Sequence, residues 1–250
     1  MFFDVINSGS KGNATVVFTK EATILIDAGI PSCTIEEELN KFNKTLQDID
    51  YVLVTHNHTD HIRNIKAFSP KKIYSLKGTV PGSLSHVIEI NTPIAISDFT
   101  LTAFPTSHDA SNPCGFIIES DNEKLVYMTD TGIYPSSNTR LTKNPTYLII
   151  ESNHDIQMLL HTNRPMELIQ RIMSDFGHLC NEDSAFAALE IIGDDTKEIV
   201  LAHLSEEANT PELALKAYEK VFKYAGKDIK RFNVRCANQH TPLIGGNYEN

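Results

Sequence analysis

The chain has 250 residues, 41% hydrophobic and 22% charged, which is enough apolar material for a buried core and excludes a disordered chain. Its net charge of −10 argues against indiscriminate nucleic-acid binding, and apolar runs of only four or five residues exclude a helical membrane span. The first residues, MFFDVINSGSKGN, lack the basic region and long apolar stretch of a secretory signal. Cys33, Cys114, Cys180 and Cys236 show no C-x-x-C spacing, so the expectation is a cytoplasmic protein with free thiols.

In chain order, residues 2–6, 14–18 and 23–26 read as strands, the first two joined by the turn-rich SGSKGN. Residues 36–42 read as a helix with Thr34 or Ser32 as cap. The apolar run at 51–54 reads as a strand, followed by a helix-like segment at 60–68 and a strand at 72–75. Short β runs recur at 87–90, 94–96, 99–104, 115–119 and 125–128. The texture then changes. Strands at 147–150 and 198–201 alternate with helices at 165–176, 181–191 and 211–224, the last with Thr210 as N-cap and Pro211 at its first position. No linker or repeat divides the chain, and two packed sheets with outer helices account for the pattern.

Charge is uneven. Residues 61–88 hold Arg63, Lys66, Lys71, Lys72 and Lys77 and no acid, while residues 216–235 hold seven basic residues against Glu219 and Asp228. Each stretch nets +5, so the remainder carries −20. A basic rim of this kind suits an anionic substrate such as a phosphodiester. An ordinary solvated face is the plainer account.

The organising stretch is VLVTHNHTDHI, residues 52–62. His56, His58, Asp60 and His61 fall within six residues at a strand end. Side chains two apart on extended backbone point the same way, so His56 and His58 can grip one ion. Asp60 and His61, beyond the turn, can reach a second. His and Asp suit zinc, manganese and ferrous iron. A two-metal site needs more ligands than this motif supplies. Three more candidates end apolar runs: His108, Asp130 and His203. Taken alone, Asp130 before Thr-Gly would be a turn residue and the two histidines surface or core groups.

The motif HNHTDH resembles the signature of the metallo-β-lactamase superfamily. That resemblance implies one domain over residues 1–250: an α/β protein with a four-layer αββα sandwich and metals at one edge. It also implies two divalent ions (Zn2+, Mn2+ or Fe2+). His56, His58 and His108 would hold one, Asp60, His61 and His203 the other, with Asp130 between them. Asp27 would orient a ligand histidine from outside the coordination sphere. Metal-bound hydroxide would attack the electrophile, with Asp60 orienting it. In phosphodiesterase branches such as tRNase Z and the PhnP type, a Glu–His pair protonates the leaving oxygen. Glu151 and His178 stand in similar places, with His178 as the general acid. His154 and Asn181 are candidates for substrate contact or support, and Asn181 with Ser184 could offer a phosphate the start of a helix.

Within the superfamily the closest resemblance is to the YycJ/WalJ (VicX)-like branch. SGSKGN (8–13), ILIDAGI (24–30), LVTHNHTDHI (53–62), SHDA (107–110), MTDTG (128–132), ESNHDIQML (151–159), GHLCN (177–181) and LAHLSEEANTPELA (201–214) carry it. This branch implies a 5′-3′ DNA exonuclease connected with DNA repair. Two positions depart from it: Cys180, where Ser is expected, and Ala208, where Asn is expected. Two alternatives stay open, a small-molecule cyclic phosphodiesterase of the PhnP type and a non-catalytic metal-dependent regulatory protein. An exported β-lactamase, a glyoxalase II-like thioesterase and a β-CASP nuclease fit less well. They would need an export signal, a glutathione-recognising C-terminal region and a large inserted domain, respectively.

Overall fold

A computed structural model describes residues 1–80 and 85–248; residues 81–84, inside the first basic stretch, and residues 249–250 lie outside the described residues. The chain divides into two compact units, the first Met1–Phe104, Ala110–Asn122 and Asn238–Asn250, the second Pro105–Asp109 and Glu123–Ala237.

The first unit holds β1 (Phe2–Asn7), β2 (Ala14–Phe18), β3 (Thr23–Ile26), α1 (Ser32–Asn40), β4 (Tyr51–Val54), α2 (Thr59–Ile62), β5 (Ile73–Ser75), β6 (His86–Val87), β7 (Ile94–Ile96), β8 (Phe99–Pro105) and β9 (Cys114–Ser120). The second holds β10 (Glu123–Met128), α3 (Thr139–Thr142), β11 (Tyr147–Glu151), α4 (Ile156–Leu160), α5 (Met166–Ile172), α6 (Asn181–Ile191), β12 (Glu198–Ala202), α7 (Pro211–Tyr224) and β13 (Asn233–Cys236). The chain then returns to the first unit as β14 (Leu243–Gly246).

In the first unit the strand order is β14-β1-β2-β3-β4-β5-β6. Pairing is antiparallel from β14 to β3 and parallel from β3 to β6. Strands β7 and β8 pair antiparallel. The unbroken apolar runs TILI and VLV are fully buried, as expected of strands covered on both faces. The core on one face of this sheet runs from Ile6, Val16 and Phe18 through Leu25, Val52 and Val54 to Ile35 and Leu39 of α1. In the second unit β10-β11-β12-β13 is wholly parallel, and α3 to α7 lie in the connections. Parallel strands point their carboxyl ends the same way, and in both units the chemistry-bearing residues stand at those ends.

The strands lie where the sequence places them, within a residue or two; the first β run after residue 85 is the exception. It is cut to His86–Val87, and Ile90 makes only an isolated bridge to Ala103. The helices differ more. The first begins at Ser32, not at 36, and Pro31 caps it without a side-chain bond. The segment at 60–68 is not one helix but a single turn, α2, and a 3-10 turn at Ile65–Ala67. The reason is competition for its carbonyls. Asn13 N donates to Asp60 O (2.8 Å), Ala28 N donates to His61 O (2.7 Å), and Asn64 N turns to Ala28 O (2.9 Å). Gly29 permits this approach, because a Cβ there would overlap the Asp60 carbonyl. Similarly α5 stops at Ile172, whose carbonyl accepts from His178 N (2.9 Å), so the chain turns back and delivers His178 instead of running on to 176. For α7, Thr210 Oγ1 accepts from Leu213 N and Pro211 opens the helix, as read.

Candidate metal centre

In the first unit the site begins with Asp27, the residue after β3, in a left-handed conformation (φ +61°). Its carboxylate is fully buried. Oδ1 accepts from Thr55 N (2.9 Å), and Oδ2 accepts from Thr55 Oγ1 (2.9 Å) and from His61 Nδ1 (2.7 Å). A donor at Nδ1 fixes the His61 tautomer and leaves Nε2 as the ligand atom. Asn13 Nδ2 stands 2.9 Å from that Nε2, and the Asp60 carboxylate 3.6 Å from it. Thr55 Oγ1 also contacts His56 Nδ1 at 3.0 Å. The His56 ring lies 4.7 Å from His58 and 4.0 Å from His61 between centroids. Three imidazoles and a carboxylate thus gather at the end of β4, with His56 and His61 buried and His58 and Asp60 half-buried.

In the second unit register explains the gathering. Met128, Ile150 and Leu201 are level across β10, β11 and β12, so Asp130, Glu151 and His203 leave the sheet one or two residues further on. Asp130 (φ +55°) and His203 (φ +56°) share the left-handed conformation of Asp27. Such a conformation costs an ordinary L-residue about 1 kcal/mol or more, and it concentrates where side-chain direction matters. Asp130 Oδ1 lies 3.5 Å from His203 Nε2, 3.7 Å from His178 Nδ1 and 3.8 Å from His108 Nε2. His108 Nδ1 donates to the Gly177 carbonyl (3.0 Å), so it too presents Nε2. Burial pushes its pKa down, which keeps the ring a neutral ligand.

Glu151 ties this cluster together. Its Oε1 accepts from His178 Nδ1 (2.8 Å) and from His203 Nδ1 (2.9 Å), and its Oε2 from Thr131 N (2.9 Å) and Leu179 N (3.3 Å). Burial works to raise its pKa, but the His178 and His203 rings outweigh that and hold the carboxyl well below the usual range. The pair expected at Glu151 and His178 is present, and the same carboxylate also orients His203. His178 is the accessible member, 20% exposed in its side chain where Asp130, Glu151 and His203 are at most 4%.

The remaining candidates stand behind the cluster. Asn181 is fully buried and bonds Ser152 Oγ (2.7 Å) and Asn209 (2.9 Å). Ser184 is fully buried between the Glu151 carbonyl and Tyr218 Oη. Both brace the end of β11, their side chains engaged by neighbouring polar groups, which is the supporting role among those expected of Asn181. His154 is buried, its carbonyl takes Asn181 N (2.9 Å), and burial pushes its pKa down to about 4. Cys180 does the capping work expected of Ser: its Sγ accepts from Asp183 N at 3.4 Å. Ala208 is buried among Leu159, Ile169 and Ile172, a pocket that favours a small apolar group. Sequence reasoning missed Thr55, Asn13 and Asn153. Thr55 had a signal, since it stands directly before His56 at the strand end. Asn153 Nδ2 holds the His203 carbonyl (2.9 Å). Cys33, Cys114, Cys180 and Cys236 are free thiols.

A family model described as "Beta-lactamase superfamily domain" matches residues 22–204. The chain is 34% identical over 239 residues to exodeoxyribonuclease YycJ of Bacillus anthracis, covering 90% of each. It is 34% identical to exodeoxyribonuclease WalJ of Streptococcus pneumoniae (strain D39), covering 85% of this chain and 84% of that one. Among solved structures, the metallo-β-lactamase fold protein YhfI of Bacillus subtilis superimposes with a TM-score of 0.71 at 18% identity, covering 98% of this chain and 99% of that one. A diphosphatase of the PhnP family follows at 0.65 and 14%, covering 98% of each. The chain belongs to the metallo-β-lactamase superfamily, a family of hydrolases with an α/β sandwich fold. The His, Asp and Glu groups are chemically suited to divalent metal.

Proposed function

We propose that this protein is a two-metal phosphodiesterase that removes nucleotides from DNA in the 5′-3′ direction. It would act in the cytoplasm as one metallo-β-lactamase-fold domain spanning residues 1–250. The observation that carries the reading is the His178–Glu151 pair beside Asp130: a part-exposed imidazole, anchored through Nδ1 by a buried carboxylate, at the edge of a metal-type donor set. The identity to relatives named exodeoxyribonucleases supports DNA as the substrate. No helix among the described residues is long and apolar enough to cross a membrane.

The reading calls for a pair of ions, and the imidazole and carboxylate donors suit divalent metal. His56, His58 and His108 would hold one and Asp60, His61 and His203 the other, with Asp130 shared; zinc, manganese and ferrous iron all suit imidazole and carboxylate. When bound, such ions lower the pKa of water toward neutrality and stabilise charge on a phosphoryl group. The chain does the rest. Asp27 and Glu151 fix the tautomers of His61 and His203, so neither ring must reorient. Asp60 accepts a hydrogen bond from the attacking water. His178, in its protonated form, gives the Nε2 proton to the leaving oxygen, and Glu151 stabilises the imidazolium before transfer.

A substrate panel tests this. With Mn2+, end-labelled single- and double-stranded DNA should yield nucleotides stepwise. A 2′,3′-cyclic nucleotide should turn over at least about a hundredfold less efficiently, a gap of about 2.7 kcal/mol in barrier. Turnover of the cyclic diester with intact DNA would move the protein to the small-molecule class. No turnover of any diester would leave a regulatory role.

A further inference from the structure

We propose that Phe176 is a stacking platform for the nucleobase next to the scissile phosphate. This rests on the phosphodiesterase reading and names the part of the nucleotide that the site grips.

Phe176 is 62% exposed, an unusual position for a phenylalanine. It precedes His178 by two residues, so their Cα atoms are at most about 7 Å apart. The backbone around it is held from several sides. Its carbonyl accepts from Asp109 N (3.1 Å), and the next carbonyl, of Gly177, accepts from the His108 ring. Gly177 N donates to Ser174 O (2.8 Å), and His178 N donates back to Ile172 O. Asp109 is itself held by Arg171 Nε (2.5 Å). The loop carrying Phe176 is therefore tied on both sides to the segment that carries His108. The loop after Asp130 packs directly on it: a Cβ on Gly132 would overlap the carbonyls of Ser174 and Asp175. That loop leads into Ile133, 42% exposed, and α5 is followed by Met173, 45% exposed. Lone exposed apolar residues are ordinary. Here they stand on two connected segments that lead from Asp130 and into the partly open histidine, and the ring among them rests on a fixed backbone.

A nucleobase matches that chemistry. It offers an aromatic face whatever its sequence, and one base stacked on an aromatic side chain gains about 1–3 kcal/mol in other systems. The bases would differ little, so the platform grips DNA without reading it. A nucleotide that has lost its base would be held less well.

The experiment pairs Phe176→Ala and Phe176→Trp with two DNA substrates, alike except that one has an abasic residue at the terminal nucleotide. The wild type should favour the normal end about tenfold in kcat/KM, Phe176→Ala should reduce that preference to about one, and Phe176→Trp should restore it. A merely structural Phe176 would lower both rates together and leave the ratio intact, which would overturn the proposal. A second readout is independent of turnover. 2-Aminopurine at the terminal position, bound in the absence of divalent ion, should lose fluorescence on the wild type and keep it on Phe176→Ala. Equal quenching by both proteins would also overturn the proposal. Failure of the nuclease reading looks different, since the wild type would then release no nucleotide from either DNA.

Discussion

Asp130→Ala is expected to remove bound metal and hydrolysis together. The Asp130 carboxylate lies within 4 Å of His108, His178 and His203 alike. It stands at the centre of the second unit's donor set, and neutral imidazoles do not replace its charge. The chain is expected to retain under about a tenth of the wild-type metal and to lose at least about 10³ in kcat/KM, about 4 kcal/mol of barrier. Alanine also carries a backbone cost, because the residue sits at φ +55°. Asp130→Asn is the companion variant. Asn tolerates the left-handed conformation and keeps the shape while losing the charge. If Asp130 only shaped the turn, Asn would preserve metal and activity. Metal content and rate should fall together in both variants, with circular dichroism unchanged in Asp130→Asn.

The second large effect concerns His178. A general acid matters in proportion to how badly the leaving group needs a proton. DNA departs as an alkoxide, p-nitrophenyl esters as a stable phenolate. His178→Ala should therefore slow DNA hydrolysis by about 10²–10³ and bis-p-nitrophenyl phosphate by less than about tenfold. Metal content should stay at the wild-type level. Equal losses on both substrates would assign His178 to binding or to metal instead of proton transfer. The Glu151 carboxylate sharpens the expectation, since its Oε1 is shared by His178 and His203. Changing Glu151 would disturb both rings, whereas changing His178 isolates one.

The strands were legible because their apolar runs, TILI, YVLV, YLII and EIVLA, are long enough to demand burial. The candidate donor residues stood out for a related reason: four His and Asp residues crowded directly after such a run have the composition of a metal site. The broken helix at 60–68 was not legible. Its carbonyls are claimed by Asn13 and Ala28, partners more than thirty residues away in sequence. The early stop of α5 has the same character. Residues 173–176 keep helical composition, and only the bond from His178 to Ile172 ends the helix. The two short strands near the C-terminus, β13 and β14, carry weak apolar patterns, NVRC and LIGG, and take their structure from the neighbours they join. The single carboxylate orienting two histidines was out of reach for another reason. It depends on adjacent parallel strands being in register, and register is a property of the sheet. Asn181 shows the converse. Its place at the start of α6 suggests a phosphate contact, yet its amide is consumed by Ser152 and Asn209.

One titration tests the central claim most directly. The chain is stripped of metal, then Mn2+ is added in steps, with bound metal and nucleotide release from end-labelled DNA followed in the same samples. The account predicts no release without metal and a rate that reaches its plateau near two bound ions per chain. Release by the metal-free protein, or a full rate at one ion per chain, would contradict it.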